Sequence, residues 1–138
     1  MDIKIFKYDE VGLNRFFGPL EASIMECLWK KGELSIKAVQ QYLEKDKPLN
    51  FNTVMTVMNR LVEKGILKKR SEGRLSLFIP VQSKEEFLEE QSKKLTENLL
   101  DEFGGAVISH MLDAMKDADP SLIEKLEQKI LALKKDKL

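Results

Sequence analysis

Cysteine and histidine, two residue types that often ligate metals or catalyse reactions, occur only once each in this 138-residue chain. Cys27 alone cannot form an internal disulfide, and one Cys with one His cannot build a zinc site without distant carboxylates or a second subunit. The sequence has no G-x-S-x-G motif, no glycine-rich phosphate loop and no paired-histidine motif. We therefore predict that the protein is not an enzyme and holds no metal or cofactor, with Cys27 a buried apolar residue and His110 at a surface or dimer interface.

The side chains that point to a partner are basic. Lys+Arg and Asp+Glu both number 23, yet residues 1–82 carry 14 basic and 10 acidic residues, whereas residues 83–138 carry 9 and 13. The stretch from Asn50 to Arg74 contains only two acidic residues, Glu63 and Glu72. It contains six basic residues, which we call the basic patch: Arg60, Lys64, Lys68, Lys69, Arg70 and Arg74. Such a patch is suited to binding a polyanion, but an ordinary solvent-exposed charged surface is the alternative. The secondary-structure elements that carry the patch distinguish the two interpretations.

Three short helices are predicted in this half of the chain, and the third carries the first part of the basic patch. A first helix from Pro19 to Gly32 is predicted by apolar residues at spacings of three and four: Leu20, Ile24, Met25, Leu28 and Trp29. Ser35 caps a short second helix that ends near Pro48, and Asn50 caps a third that ends near Lys64. The buried face of the third helix is predicted to hold Val54, Val57, Met58, Leu61 and Val62.

The opposite face of the third helix is mostly polar, with short side chains first and a cation later. It contains Asn52, Thr53, Met55, Thr56, Asn59 and Arg60. A β-hairpin follows, from Ile66–Arg70 through a turn at Ser71–Arg74 to the alternating run Leu75–Ile79. Three helices and a basic hairpin predict a winged helix-turn-helix, in which the third helix reads a DNA major groove and the hairpin touches phosphates.

The remainder of the chain predicts three further helices. Ser83 and Glu86 form a capping box for a long helix to Gly104, a second helix spans 106–115, and Asp119-Pro120 begins a third. We predict that these helices bury an apolar stripe against a second copy of the chain. The candidate dimerisation residues are Leu99, Phe103, Ile108, Met111, Leu112, Leu122, Leu126 and Ile130.

The predicted fold class is thus mainly α with a small β-hairpin wing. Residues 1–17 form an N-terminal arm, 18–82 a winged-helix DNA-binding domain and 83–138 a helical dimerisation domain. Three positions are open for the arm: against the first helix, at the dimer interface, or on DNA through Lys4, Lys7 and Arg15. The amino-acid composition of the arm does not distinguish among them. No apolar run approaches the roughly 18 residues of a membrane span, so we expect no membrane association and a cytoplasmic location.

The blocks Gly18–Ala22, Ile24-Met25 and Leu28-Trp29, and above all Thr53–Gly65, resemble the penicillinase-repressor family of bacterial regulators. The resemblance extends from Gly18 to the C-terminus. It implies a dimeric repressor with an N-terminal winged helix that binds a palindromic operator in double-stranded DNA and blocks transcription.

The same resemblance assigns roles residue by residue. The DNA-contacting positions match Asn52, Thr53, Met55 and Thr56, with Arg60 further along. Some family members place Arg where this chain has Met55, so apolar contact with a thymine methyl replaces a guanine contact there. The hairpin adds Lys69, Arg70 and Arg74 as phosphate contacts, and Asn59 completes the candidate set.

Two induction mechanisms known in the family find no matching sequence here. Some relatives are released by a sensor protease that cuts an Asn-Phe bond in the dimerisation domain, but the corresponding region reads His-Met-Leu-Asp at His110–Asp113. A sensor protease is therefore a candidate partner without a cleavage sequence in that region. Copper-responsive relatives carry a C-terminal cysteine cluster, which this chain lacks.

The competing hypothesis is that the protein is a winged-helix module whose third helix and hairpin dock a protein partner instead of DNA. The basic patch argues against this hypothesis.

Overall fold

The computed structural model describes residues 6–7, 10–45 and 47–137. It is mostly helical with one small antiparallel sheet, which confirms the predicted fold class. The helices are α1 (Pro19–Lys31), α2 (Ile36–Leu43), α3 (Phe51–Glu63), α4 (Lys84–Phe103), α5 (Gly105–Ala114) and α6 (Pro120–Asp136). The strands are β1 (Leu34–Ser35), β2 (Leu67–Glu72) and β3 (Leu75–Pro80), and single 3-10 turns lie at Gly12–Arg15 and Met115–Asp117.

The predicted helix caps are confirmed. The Ala38 N–H donates to Ser35 Oγ at 3.1 Å, and the Asn52 N–H donates to Asn50 Oδ1 at 2.8 Å. Ser83 and Glu86 form the reciprocal capping box, at 3.0 and 3.1 Å. Asp119 Oδ1 accepts from the Ser121 N–H at 2.9 Å, directly before the proline that begins α6. Local side-chain chemistry therefore sets where these helices begin.

The sheet differs from the prediction in two details. The strand order is β1-β3-β2, so the two-residue β1, which the sequence did not indicate, adds a third strand. The hairpin loop contains only Gly73 and Arg74, because Glu72 pairs with Leu75. Gly73 adopts a φ of 64°, the conformation that a tight two-residue loop requires at its first position. The strands are thus longer and the turn tighter than the predicted Ser71–Arg74 turn.

The chain divides into two compact units, residues 1–91 and 92–138. The N-terminal unit has a continuous apolar core to which every helix and strand before residue 91 contributes. Its buried members are Phe17, Ala22, Ile24, Met25, Cys27, Leu28, Val39, Val54, Met58, Leu61, Ile66, Leu67, Phe78 and Phe87. The predicted face of α3 belongs to this cluster, because Val54, Met58 and Leu61 are buried and Val57 and Val62 pack against it.

The residues assigned to the arm contribute to this core. Phe17 is 1% exposed and its ring stacks on Phe87, with centroids 5.3 Å apart. Phe16 and Trp29 also contact the Phe87 ring, at centroid distances of 5.7 and 5.4 Å. The end of the arm therefore packs against Phe87 of α4 and the core around it, while Lys4 lies outside the described residues.

The C-terminal unit is organised differently. None of its described residues, 92–137, is buried. Leu99 and Leu126 are half-buried, and the other predicted dimerisation residues are exposed. Among the helices of the described chain, none is long and apolar enough to cross a membrane.

Candidate nucleic-acid interface

The two faces of α3 separate by helical spacing. Val54, Met58 and Leu61 recur three and four residues apart and point into the core. Asn52, Thr53, Thr56 and Arg60 are exposed, whereas Met55 and Asn59 on the flank are half-buried. Packing of the apolar face thus holds the predicted polar positions at the surface of the N-terminal unit.

The polar side chains of this face differ in their availability for hydrogen bonds. Within the described part of the chain, the Asn52 and Thr53 side chains form no hydrogen bond. Thr56 Oγ1 donates to the Asn52 carbonyl at 2.8 Å, so its hydroxyl retains only acceptor capacity and its methyl group for an external contact. Asn52 and Thr53 can therefore both donate and accept, and Thr56 can only accept.

The basic side chains of α3 and of the hairpin fall into two groups, those that pair with a carboxylate of the chain and those that do not. Arg74 occupies the tip of the hairpin and forms no ion pair with any described residue, and Arg60 on α3 is likewise unpaired among them. Lys69 Nζ lies 5.6 Å from the centroid of the Phe78 ring, which anchors the lysine stem and leaves its charge exposed. Lys64, in contrast, pairs with Glu21 at 2.8 Å.

Arg70 is bound by carboxylates of its own chain. Its Nε and Nη2 atoms donate to both oxygens of Glu33 at 2.7 and 2.6 Å, and Nη2 also lies 3.1 Å from Glu72. This bidentate pair lowers the pKa of Glu33 and raises the pKa of Arg70. A phosphate would have to compete with Glu33 for the same donors, so Arg70 is the weakest of the predicted phosphate contacts.

Two features of this surface were not predicted from the sequence. Glu33 has no sequence signal as a partner of Arg70, since 37 positions separate them and strand β1 brings them together. Phe51, the first residue of α3, is 40% exposed. Helical spacing gave no signal of this exposure, because Phe51 lies three and seven residues before the buried Val54 and Met58.

The residues set aside as non-functional have structural positions. Cys27 is buried as predicted, and burial raises the pKa of its thiol, which makes it a poor nucleophile. Trp29 is half-buried against the core, and its indole Nε1 donates to the Gln82 carbonyl at 2.9 Å. His110 is exposed on α5. No group of three or more candidate metal ligands occurs in the described residues.

The chain is similar in sequence to known bacterial repressors. Over 72 residues the chain is 31% identical to the transcriptional regulator BlaI of Mycobacterium tuberculosis (strain CDC 1551 / Oshkosh), covering 51% of this chain and 52% of that protein. It is 28% identical over 72 residues to the penicillinase repressor of Bacillus licheniformis, covering 52% and 56%. The chain thus spans little more than half the length of these relatives. A solution structure of the DNA-binding domain of the repressor BlaI aligns with 58% of this chain and 90% of that one, at 24% identity and a TM-score of 0.44.

A protein-family model confirms the resemblance found in the sequence. The model of the penicillinase repressor matches residues 17–132, which include both units. The chain does contain one Asn-Phe pair, Asn50-Phe51, but this pair lies at the start of α3 and not in the C-terminal unit. The matched family is one of transcriptional repressors and not of enzymes, as the sequence predicts. This chain belongs to the penicillinase repressor family.

Proposed function

We propose that this protein is a homodimeric transcriptional repressor that places two copies of α3 in successive major grooves of a pseudo-palindromic operator. The observation that carries the proposal is the exposed polar face of α3, held rigidly by a buried apolar face and followed by a wing with unpaired cations. Dimeric helix-turn-helix proteins read half-sites about one helical turn, or a multiple of it, apart. The proposed location is the cytoplasm, where operator DNA is available to bind.

Base contacts are assigned to Asn52, Thr53, Met55 and Thr56, with Asn59 on the flank. Asn pairs in a bidentate manner with adenine, and Thr bonds to several bases. Because the Thr56 hydroxyl already donates within the helix, its base partner is a donor such as an adenine or cytosine amino group. Met55 supplies apolar contact where some relatives place Arg.

Phosphate contacts are assigned to Arg60, Lys69 and Arg74, with Arg70 in a secondary role. Phosphate contacts fix the register of the helix and provide affinity that falls with salt. Arg74 at the tip of the hairpin and Arg60 on α3 have no carboxylate partner in the described chain, whereas Arg70 must first leave Glu33.

The C-terminal unit is assigned to dimerisation. Its predicted interface residues include large exposed side chains, such as Phe103 at 55% and Leu112 at 53% exposure. Large apolar side chains that are exposed in a single chain and form one patch mark protein interfaces. A second copy supplies the complementary surface by symmetry, since both copies present the same stripe.

A specific observation also supports the alternative, a winged-helix module that docks a protein. Strand β3 alternates, and on the side opposite the buried Phe78 it presents exposed Leu75 and Ile79, with exposed Val81 next along the chain. An apolar strip on the wing suits a protein partner better than a phosphate backbone. The basic residues beside the strip favour DNA as the primary partner.

One experiment separates the two functions. We would select binding sites from a random duplex library with the full-length protein and measure affinity for the selected site and for a scrambled duplex by fluorescence anisotropy across a salt series. A repressor enriches a palindromic site, and its affinity falls steeply with salt because bound phosphates release counterions. Failure to enrich any sequence, or binding that does not respond to salt, would contradict the proposal and favour the protein-docking module.

A further inference from the structure

An exposed aromatic residue stands at the first position of the proposed recognition helix. Phe51 begins α3 and is 40% exposed, although a phenylalanine side chain gains about 1.5–3 kcal/mol from burial. It adjoins Asn52, which carries the first polar side chain of the exposed face of α3. A large apolar group at this place calls for either a structural role or a ligand.

The structural roles available at the start of α3 are filled by other residues. Asn50 caps the helix through its side chain. Leu49 and Val54 occupy the two positions of a hydrophobic staple, and both belong to or pack against the core cluster. Phe51 is not part of that cluster and forms no ring contact with another described aromatic residue. Its ring therefore lies outside the buried core and leaves about two fifths of the residue exposed at the start of α3.

Phe51 has an apolar neighbour on the same flank of the helix. Met55 follows four residues later, the spacing that places side chains next to each other on a helix. Met55 is half-buried, yet it also lies outside the core cluster. Phe51 and Met55 thus form a short apolar strip on the flank of α3, at the edge of the polar face that carries Asn52 and Thr56.

We propose that this strip recognises the C5-methyl groups of thymines in the operator, with Phe51 as a specificity-determining residue. Thymine is the one standard base that presents a methyl group in the major groove, and apolar side chains contact it there. Phe51 therefore favours thymine over cytosine and the purines at one position of each half-site, and Met55 contacts the methyl group of an adjacent thymine. This inference rests on the proposed DNA-binding function and specifies which base part of the interface reads.

The test removes single methyl groups from the DNA. In the operator selected with the wild-type protein, each thymine is replaced in turn by deoxyuridine, which lacks only that methyl. We expect the wild type to bind about three- to fivefold more weakly per lost methyl at one thymine of each half-site, the cost of about 0.8 kcal/mol per apolar carbon. Phe51→Ala is expected to bind the thymine and uracil versions equally at that position.

The controls separate specificity from folding and from DNA binding in general. Phe51→Leu keeps an apolar side chain and should retain part of the discrimination. Leu75→Ala removes an exposed apolar residue of the wing and should retain all of it. Phe51→Ala should keep the salt dependence of the wild type, because no phosphate contact has changed.

The outcomes are distinguishable. Equal wild-type affinity for thymine and uracil at every position overturns the inference and leaves the repressor function intact. The inference is also overturned if Phe51→Ala distinguishes thymine from uracil as strongly as the wild type does. If the wild-type protein selects no DNA site, the proposed function fails and this inference fails with it.

Discussion

The two units of this chain both contain helices with clear start signals but have very different interiors. In the N-terminal unit, residues from all its helices and strands meet in one cluster that includes Phe17, Phe78 and Phe87. In the C-terminal unit, α5 begins at the Gly104-Gly105 break and α6 at the Asp119 cap, but no described residue from 92 to 137 is buried. Local signals therefore fix helix ends without providing a core.

This difference has an energetic consequence. An isolated helix shorter than about 12–15 residues, such as the 10-residue α5, is marginal in water, and most helix stability in proteins comes from packing of an apolar face. The N-terminal unit packs its faces internally, whereas the C-terminal unit leaves Leu122, Ile130 and Leu131 exposed. We infer that the first unit is stable as a monomer and that the second gains its stability from a partner copy.

The largest expected effect comes from disrupting the proposed dimer interface. Leu126→Asp with Ile130→Asp places charges in the apolar stripe of α6 and should yield monomers. Operator affinity should fall by about 10²- to 10⁴-fold, because the second half-site no longer benefits from an effectively intramolecular encounter. Sedimentation equilibrium reports the mass and anisotropy the affinity. The matched control is Glu124→Ala with Gln128→Ala on the opposite face, and a fully dimeric Asp variant would sink the assignment.

A comparable loss, but of folding stability, is expected in the core of the N-terminal unit. Phe87 is 0% exposed and contacts Phe16, Phe17 and Trp29. Phe87→Ala should lower the free energy of unfolding by about 3–5 kcal/mol through lost burial and the cavity left behind. Urea denaturation followed by tryptophan fluorescence measures it. The exposed Leu75→Ala should stay within about 0.5 kcal/mol of the wild type, and a similar loss in both variants would contradict the comparison.

Smaller effects are expected from the two arginines of the wing. Arg74→Ala should weaken binding to all sequences and reduce the slope of log affinity against log salt by about one unit per half-site, the value of one lost phosphate contact. Arg70→Ala should reduce the slope by less, because Glu33 already occupies its donors. Anisotropy titrations from low to high salt give both slopes. Equal reductions would show that the Glu33 pair opens fully on DNA.

The smallest effect concerns pH and the helix caps. Backbone N–H groups lower the pKa of Glu86 below its ordinary 4.5 and the pKa of Asp119 below its ordinary 3.8. A lowered folded-state pKa contributes stability that is complete above the ordinary value and is lost as the pH falls through the folded value. Helix content by circular dichroism should therefore be constant from pH 6 to 8 and decline only below about pH 4. Asp119→Asn, which keeps an acceptor without titrating, should shrink that decline, and an unchanged profile would rule out the cap as its cause.

Much of the fold follows from local sequence, and the exceptions share a cause. Ser35, Asn50 and Asp119 are short-range signals, so the helix starts they predict are confirmed. Strand β1 and the core position of Phe17 depend on contacts with residues distant in the chain, at Phe78 and Phe87. Those contacts leave no periodic pattern in the sequence and could not be read from it.

The candidate site shows the same division. Helical spacing alone separates the exposed Asn52, Thr53 and Thr56 from the buried Val54 and Met58. Spacing does not tell which cations are free, because the Arg70–Glu33 pair joins strand β2 to the residue just before β1, and these two strands are not neighbours in the sheet. The dimerisation residues and the base and phosphate contacts stay predictions.

If the N-terminal unit binds DNA and the C-terminal unit joins two copies, both halves of an operator are read at once. We would test this first by the affinity and mass of the full-length protein on two duplexes, one with a single selected half-site and one with the complete palindrome. We predict two chains on the palindrome and an affinity at least about 10²-fold higher than on the single half-site. One chain per half-site, bound independently and with no gain in affinity, would contradict the account.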